Sequence, residues 1–81
     1  LNRAEKAKAT LDNDFIKSAI NEIREACYKN ISLSAHDQAD LREDLYYMLR
    51  AVAAFERVLQ HHIREGKVDD LNELNIKRIM R

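Results

Sequence analysis

Arg50, Arg57 and Arg64 recur every seven residues, and His61 lies one turn from both Arg57 and Arg64. On a helix this spacing sets a basic stripe down one face, an arrangement able to track phosphates or to meet an acidic partner surface. The simpler reading is a solvated row of a heptad. Glu43 occupies the row one heptad earlier, Glu56 is adjacent to Arg57, and no aromatic stacking platform is evident beside the arginines. His61, His62, His36, Cys27, Asp69 and Asp70 are all of metal-ligating type. Adjacent helical residues point about 100° apart, so the His pair cannot close on one ion as an i, i+4 pair does. A Glu-x-x-His motif is also missing, because Val58 and Leu59 stand three positions before the histidines. No metal and no other cofactor is expected. No Ser, His and acid set and no paired carboxylates rise above helix-surface chemistry, and a helical hairpin of 81 residues offers little concavity for a substrate. The chain is therefore read as a non-enzyme.

Composition points the same way. Fourteen basic and fourteen acidic residues give a net charge of zero, which removes bulk attraction to nucleic acid or anionic lipid. The single Gly excludes phosphate-binding Gly loops, dinucleotide fingerprints and nucleophile elbows. The single Cys excludes a disulfide framework and fits a reducing, cytoplasmic compartment. The longest run without a charged residue is Asn30 to His36, against the roughly 20 apolar residues a membrane-spanning helix requires, so no membrane partner is expected.

Without Pro, and rich in Ala, Leu, Glu, Lys and Arg, the chain is predicted to be all-α: an antiparallel helical hairpin with a long central helix and short flanking N- and C-terminal helices, in one domain. Four helices are expected, over about 2–11, 13–29, 36–65 and 70–80. Ala4, Ala7 and Leu11 give the first a thin apolar stripe. Asp12, Asn13 and Asp14 offer three successive N-caps for the second, whose stripe of Phe15, Ile16, Ala19, Ile20, Ile23, Ala26 and Cys27 is close to the 3.6-residue period. Cys27 reads as a small core residue. Ser34 and Asp37 resemble a capping box for the long helix, Gly66 stands where a left-handed cap would end it, and Asp69 and Asp70 can start the last helix.

The long helix carries a seam of Leu41, Leu45, Met48, Val52, Phe55 and Leu59, spaced as a heptad. From Leu45 to Leu59, twelve of fifteen residues are apolar or Tyr, so the helix is apolar around most of its circumference and needs cover on most of it. One shorter partner helix cannot supply that. The expectation is a homo-oligomer, most simply a dimer, with Leu45, Tyr46, Tyr47, Met48, Leu49, Val52, Phe55 and Leu59 at the oligomer or partner interface. Charge is also uneven: eight acidic and four basic residues over 12–44, then four basic and two acidic over 45–68.

The order Arg-Ala-Glu-Lys-Ala-Lys, Leu-Asp-Asn-Asp-Phe-Ile, Arg-Glu-Asp-Leu-Tyr-Tyr-Met-Leu-Arg-Ala-Val and Ile-Arg-Glu-Gly-Lys-Val resembles short, all-helical proteins of tailed bacteriophages and prophages, over about residues 2–71. That resemblance implies an accessory role in the virion, in DNA packaging or in host takeover, located in the infected cell or the particle; it defines no functional residues. The expected function is thus a small helical interaction protein that self-associates through its long helix and binds a protein partner. The alternative is a packaging accessory in which oligomerisation aligns the stripe of Arg50, Arg57, His61 and Arg64 into a nucleic-acid surface.

Overall fold

The structure, a computed structural model, describes residues 2–79, with side chains over residues 2–67. It is all-helical: α1 spans Arg3–Asp12, α2 Asp14–Leu33 and α3 Ala39–Ile79, with no strand among the described residues. No helix there is long and apolar enough to cross a membrane.

The helix starts follow from local chemistry. The Asn2 side chain accepts from the Glu5 amide at 2.8 Å, satisfying one of the donors left unpaired in the first turn of α1. Of the three candidate caps at 12–14, Asn13 performs the role, accepting from the Ile16 amide at 3.0 Å. Asn13 is also the one residue between α1 and α2; its extended backbone, φ −70° and ψ 121°, redirects the chain while its own amide donates back to Thr10 at 3.2 Å.

Three expectations are corrected. First, α2 does not stop near Lys29 but runs four residues further, to Leu33. Nothing between Asn30 and Leu33 is a strong breaker, so the lapse in apolar periodicity marks loss of packing and not loss of helix. Second, Ser34 caps the end of α2 instead of opening a capping box with Asp37. Its hydroxyl donates to the Ile31 carbonyl at 2.7 Å. The turn is closed by Gln38, which donates its amide to the Ala35 carbonyl at 3.0 Å and accepts the Ala35 amide on its side chain at 2.7 Å. The long helix therefore starts at Ala39, three residues later than expected. Third, α3 passes through Gly66 without interruption and absorbs the helix expected over 70–80. Gly66 has no positive φ, so it is not a left-handed cap.

What Gly66 does instead is decided across the helix interface. A Cβ at this position would run into the Cβ of Ala4, far inside van der Waals contact. The missing side chain is what lets the backbones of α1 and α3 approach this closely. Ala7, one turn further along α1, is almost fully buried.

Arg42, in the first turn of α3, fastens the α2–α3 connection. Its Nη1 donates to the Ser34 hydroxyl at 2.9 Å and to the Ala35 carbonyl at 2.7 Å, and its Nη2 reaches the His36 carbonyl at 3.3 Å. A guanidinium serves here because its planar fork can meet several acceptors at once. Arg42→Ala is expected to destabilise the fold by about 1–2 kcal/mol, with Arg42→Lys intermediate. Urea unfolding monitored by circular dichroism measures this; an unshifted midpoint in Arg42→Ala would remove the clamp from the account.

Candidate interaction surface

The core is thin. Ala7, Ile20 and Cys27 are the buried hydrophobic residues among the described positions, Cys27 at 1% exposure, as its place on the α2 stripe led one to expect. On α3 the half-buried side chains include Leu45, Leu49, Val52, Glu56, Leu59 and Ile63. Their 4, 3, 4, 3, 4 spacing matches a heptad seam, but not the expected one. Leu45, Val52 and Leu59 belong to both, whereas Leu41, Met48 and Phe55 lie outside, exposed, and Leu49, Glu56 and Ile63 take the inner places. At 100° per residue the inner face is rotated by about 40° from the seam expected from the sequence.

Two interactions accompany that rotation. Glu56 forms an ion pair with Arg24 of α2, with both side chains about two-thirds covered, so a charged residue occupies a seam position that apolarity alone would have given to Phe55. At the other end of the face, Ile63 and Gly66 are drawn toward α1, where both line a shallow depression with Ala4 and Lys8. The partners in the ion pair invert the charge trend along the chain: the Arg comes from the acidic stretch and the Glu from the basic one.

The rotation leaves much of the apolar surface of α3 open. Of the residues assigned to the interface, Leu45, Leu49, Val52 and Leu59 are half-buried within the chain, while Tyr46, Tyr47, Met48 and Phe55 are 46–55% exposed. Val58 is exposed with them. Beside Phe55 runs an apolar groove of about 340 Å³, walled by Ile16, Ala19, Ile20 and Ile23 of α2 and by Ala51, Val52 and Phe55 of α3. The α2 wall was legible in the amphipathic stripe; that it would stand open against Phe55 was not.

The stripe residues Arg50, Arg57, His61 and Arg64 are all exposed, as either reading of their spacing requires. One detail corrects the sequence reading: an aromatic group does stand beside the first arginine. The Arg50 guanidinium carbon lies 5.9 Å from the ring centroid of Tyr46, one turn earlier, and the Tyr46 and Tyr47 rings are 6.0 Å apart. Tyr47 donates its hydroxyl to Glu43 at 3.2 Å. The His61 and His62 rings are tilted neighbours at 5.6 Å. Among the described residues no three His, Cys, Asp or Glu side chains come together in a way that could hold a metal ion. Asp69 and Asp70 lie outside the described side chains.

A second concavity, of about 590 Å³, lies at the junction of the three helices, and sequence reasoning missed it. Its charged members come from four separate places in the chain, so no local motif could have signalled it. No family model, curated protein or solved structure matches this chain.

Proposed function

We propose that this protein is a helical interaction module, an antiparallel hairpin that self-associates across the open face of α2 and α3 and binds a protein partner. The antiparallel arrangement is supported by three contacts in which position falls along the first arm as it rises along the second. These are Ser34 with Arg42, Arg24 with Glu56, and Ala4 with Gly66.

One observation carries self-association: Phe55 and the apolar groove stand open, and very few side chains are buried among the described residues. The accessible surface is 6834 Å², whereas a compact chain of this mass presents about 5,000 Å². That excess is the surface of an elongated chain, in which α3 alone spans 41 residues. The radius of gyration, 19.1 Å, is likewise far above the roughly 12 Å of a compact domain this long. A second copy suits this face because Phe55 and the groove lie side by side on one surface. A two-fold axis between them sets the Phe55 of each copy into the groove of the other, the self-complementarity that a closed dimer requires. Sedimentation equilibrium at tens of micromolar is expected to return twice the 9.5 kDa chain mass; a 9.5 kDa particle would overturn the reading. The accessory setting in a phage particle, in packaging or in an infected cell rests on the sequence motifs alone.

The stacking of Arg50 on Tyr46 favours a second reading, in which the paired subunits align their arginine stripes against nucleic acid. Under that reading the protein is retained on DNA at low salt, and retention falls steeply as salt is raised. Absent or salt-independent retention rejects it.

A further inference from the structure

We propose that the cleft where α1, α2 and α3 meet binds a small organic anion with an apolar body, of the class of a medium-chain carboxylate. At about 590 Å³ the cleft falls within the range of about 300–1,000 Å³ typical of small-molecule sites. Its wall is aliphatic, with Leu11 from α1, Ile16 and Ile20 from α2, and Ile63 from α3. Around that wall stand four cations, Lys8 from α1, Lys17 and Arg24 from α2, and Lys67 from α3. The facing carboxylates are Asp12 and Glu56, and Glu56 is engaged by Arg24. Three ammonium groups against one carboxylate remain, a local excess of positive charge in a chain whose total is zero.

This combination selects one ligand chemistry. The lysines favour an anionic head, since each offers three donors on a flexible stem that can close over a ligand while keeping its charge near water. The aliphatic wall favours a chain or ring that excludes water from Leu11, Ile16 and Ile63. Asn21 and Gln60 add neutral amides that can accept or donate at the rim. A bare inorganic anion would leave the wall wet, and a nucleic-acid strand would find no aromatic platform among the lining residues.

The site is distinct from the association face. Ile16 and Ile20 line both concavities and form the ridge between them; from there Lys17, Asn21 and Arg24 face the cleft, and Ala19 and Ile23 the groove. On α3 the cleft takes Glu56, Gln60 and Ile63, whereas the groove takes Ala51, Val52 and Phe55. The cleft is built within one chain and needs no second copy, so this proposal and self-association can fail separately.

The test is titration of the isotope-labelled full chain with millimolar octanoate, followed by amide NMR, with acetate and octylammonium as controls. Saturable shifts at Lys17, Asn21 and Gln60 are expected with octanoate alone. The Lys17→Gln/Lys67→Gln variant is expected to bind about ten-fold more weakly, as loss of charge-assisted contacts implies. Both changes are on exposed helix surface, and the single Lys17→Gln variant provides the same readout at smaller amplitude. Absent saturation, unchanged affinity in both variants, equal binding of octylammonium, or shifts confined to Ile23, Ala51 and Phe55 would each overturn the assignment.

Discussion

Phe55→Glu is expected to leave the three helices folded and to convert the proposed dimer to a monomer. Phe55 is 46% exposed on the rim of the groove, so within one chain the charge it would carry can reach water. In the proposed dimer the same position enters the partner's groove, where a carboxylate finds aliphatic walls and no partner. Two-fold symmetry repeats the loss, giving about 3–4 kcal/mol per dimer and weakening association by about two to three orders of magnitude. Val52→Glu provides the contrast. Val52 is half-buried at the centre of the face that α3 turns toward α2, so its charge is expected to lower the stability of the chain itself. Thermal unfolding together with sedimentation separates the two outcomes. If Phe55→Glu sediments as wild type, the open face is not the association surface.

Gly66→Ala is expected to destabilise the protein, against the direction that helix propensity alone would give. In an exposed helix interior this change gains about 1 kcal/mol, because Ala restricts the unfolded chain and favours helix. Here the added Cβ overlaps Ala4, and both atoms are fixed directly to helix backbones. No side-chain rotation relieves the overlap, so α1 must move off α3. Overpacking of this kind costs about 1–3 kcal/mol. The net effect is a loss of up to about 2 kcal/mol, which at that upper end lowers the Tm of a domain of this size by roughly 8–16 °C. Ala4→Gly in the same chain removes the colliding methyl and is expected to restore most of the loss. Faster hydrogen exchange along α1 in Gly66→Ala locates the damage. A raised Tm would show that α1 does not approach α3 at Gly66.

These two substitutions mark the boundary between what was readable in the chain and what was not. Helix content, a cap within 12–14, the amphipathic stripe of α2 and the core place of Cys27 are local properties. Each depends on residues within a turn or two of one another, and each was legible from residue type and spacing. The end of α2 was misjudged because weak apolar periodicity resembles a loop when the backbone has no strong breaker to stop it. The role of Gly66 was misjudged for a different reason. A Gly near the end of an apolar run is equally consistent with a left-handed cap and with a close crossing, and only the presence of Ala4 on another helix chooses between them.

The candidate surface divides in the same manner. Residues 45–59 carry enough apolar side chains to require cover, and that follows from composition around a helix. Which edge is covered does not, because a helix apolar on most of its circumference gives no preferred angle. The Arg24–Glu56 pair and the α1 contact at Gly66 lie on the covered edge, and Met48, Phe55 and Val58 are outward. The cleft of Lys8, Lys17 and Lys67 is non-local in the strictest sense, since its lysines come from three different helices. By itself the sequence determined that the chain is helical, where two of its helices begin, and that its long helix has more apolar surface than one partner can hide. Tertiary structure alone decided which of that surface stays open and which charges converge, because both depend on the rotation of α3 against its neighbours, and that rotation is fixed by contacts between residues far apart in the chain.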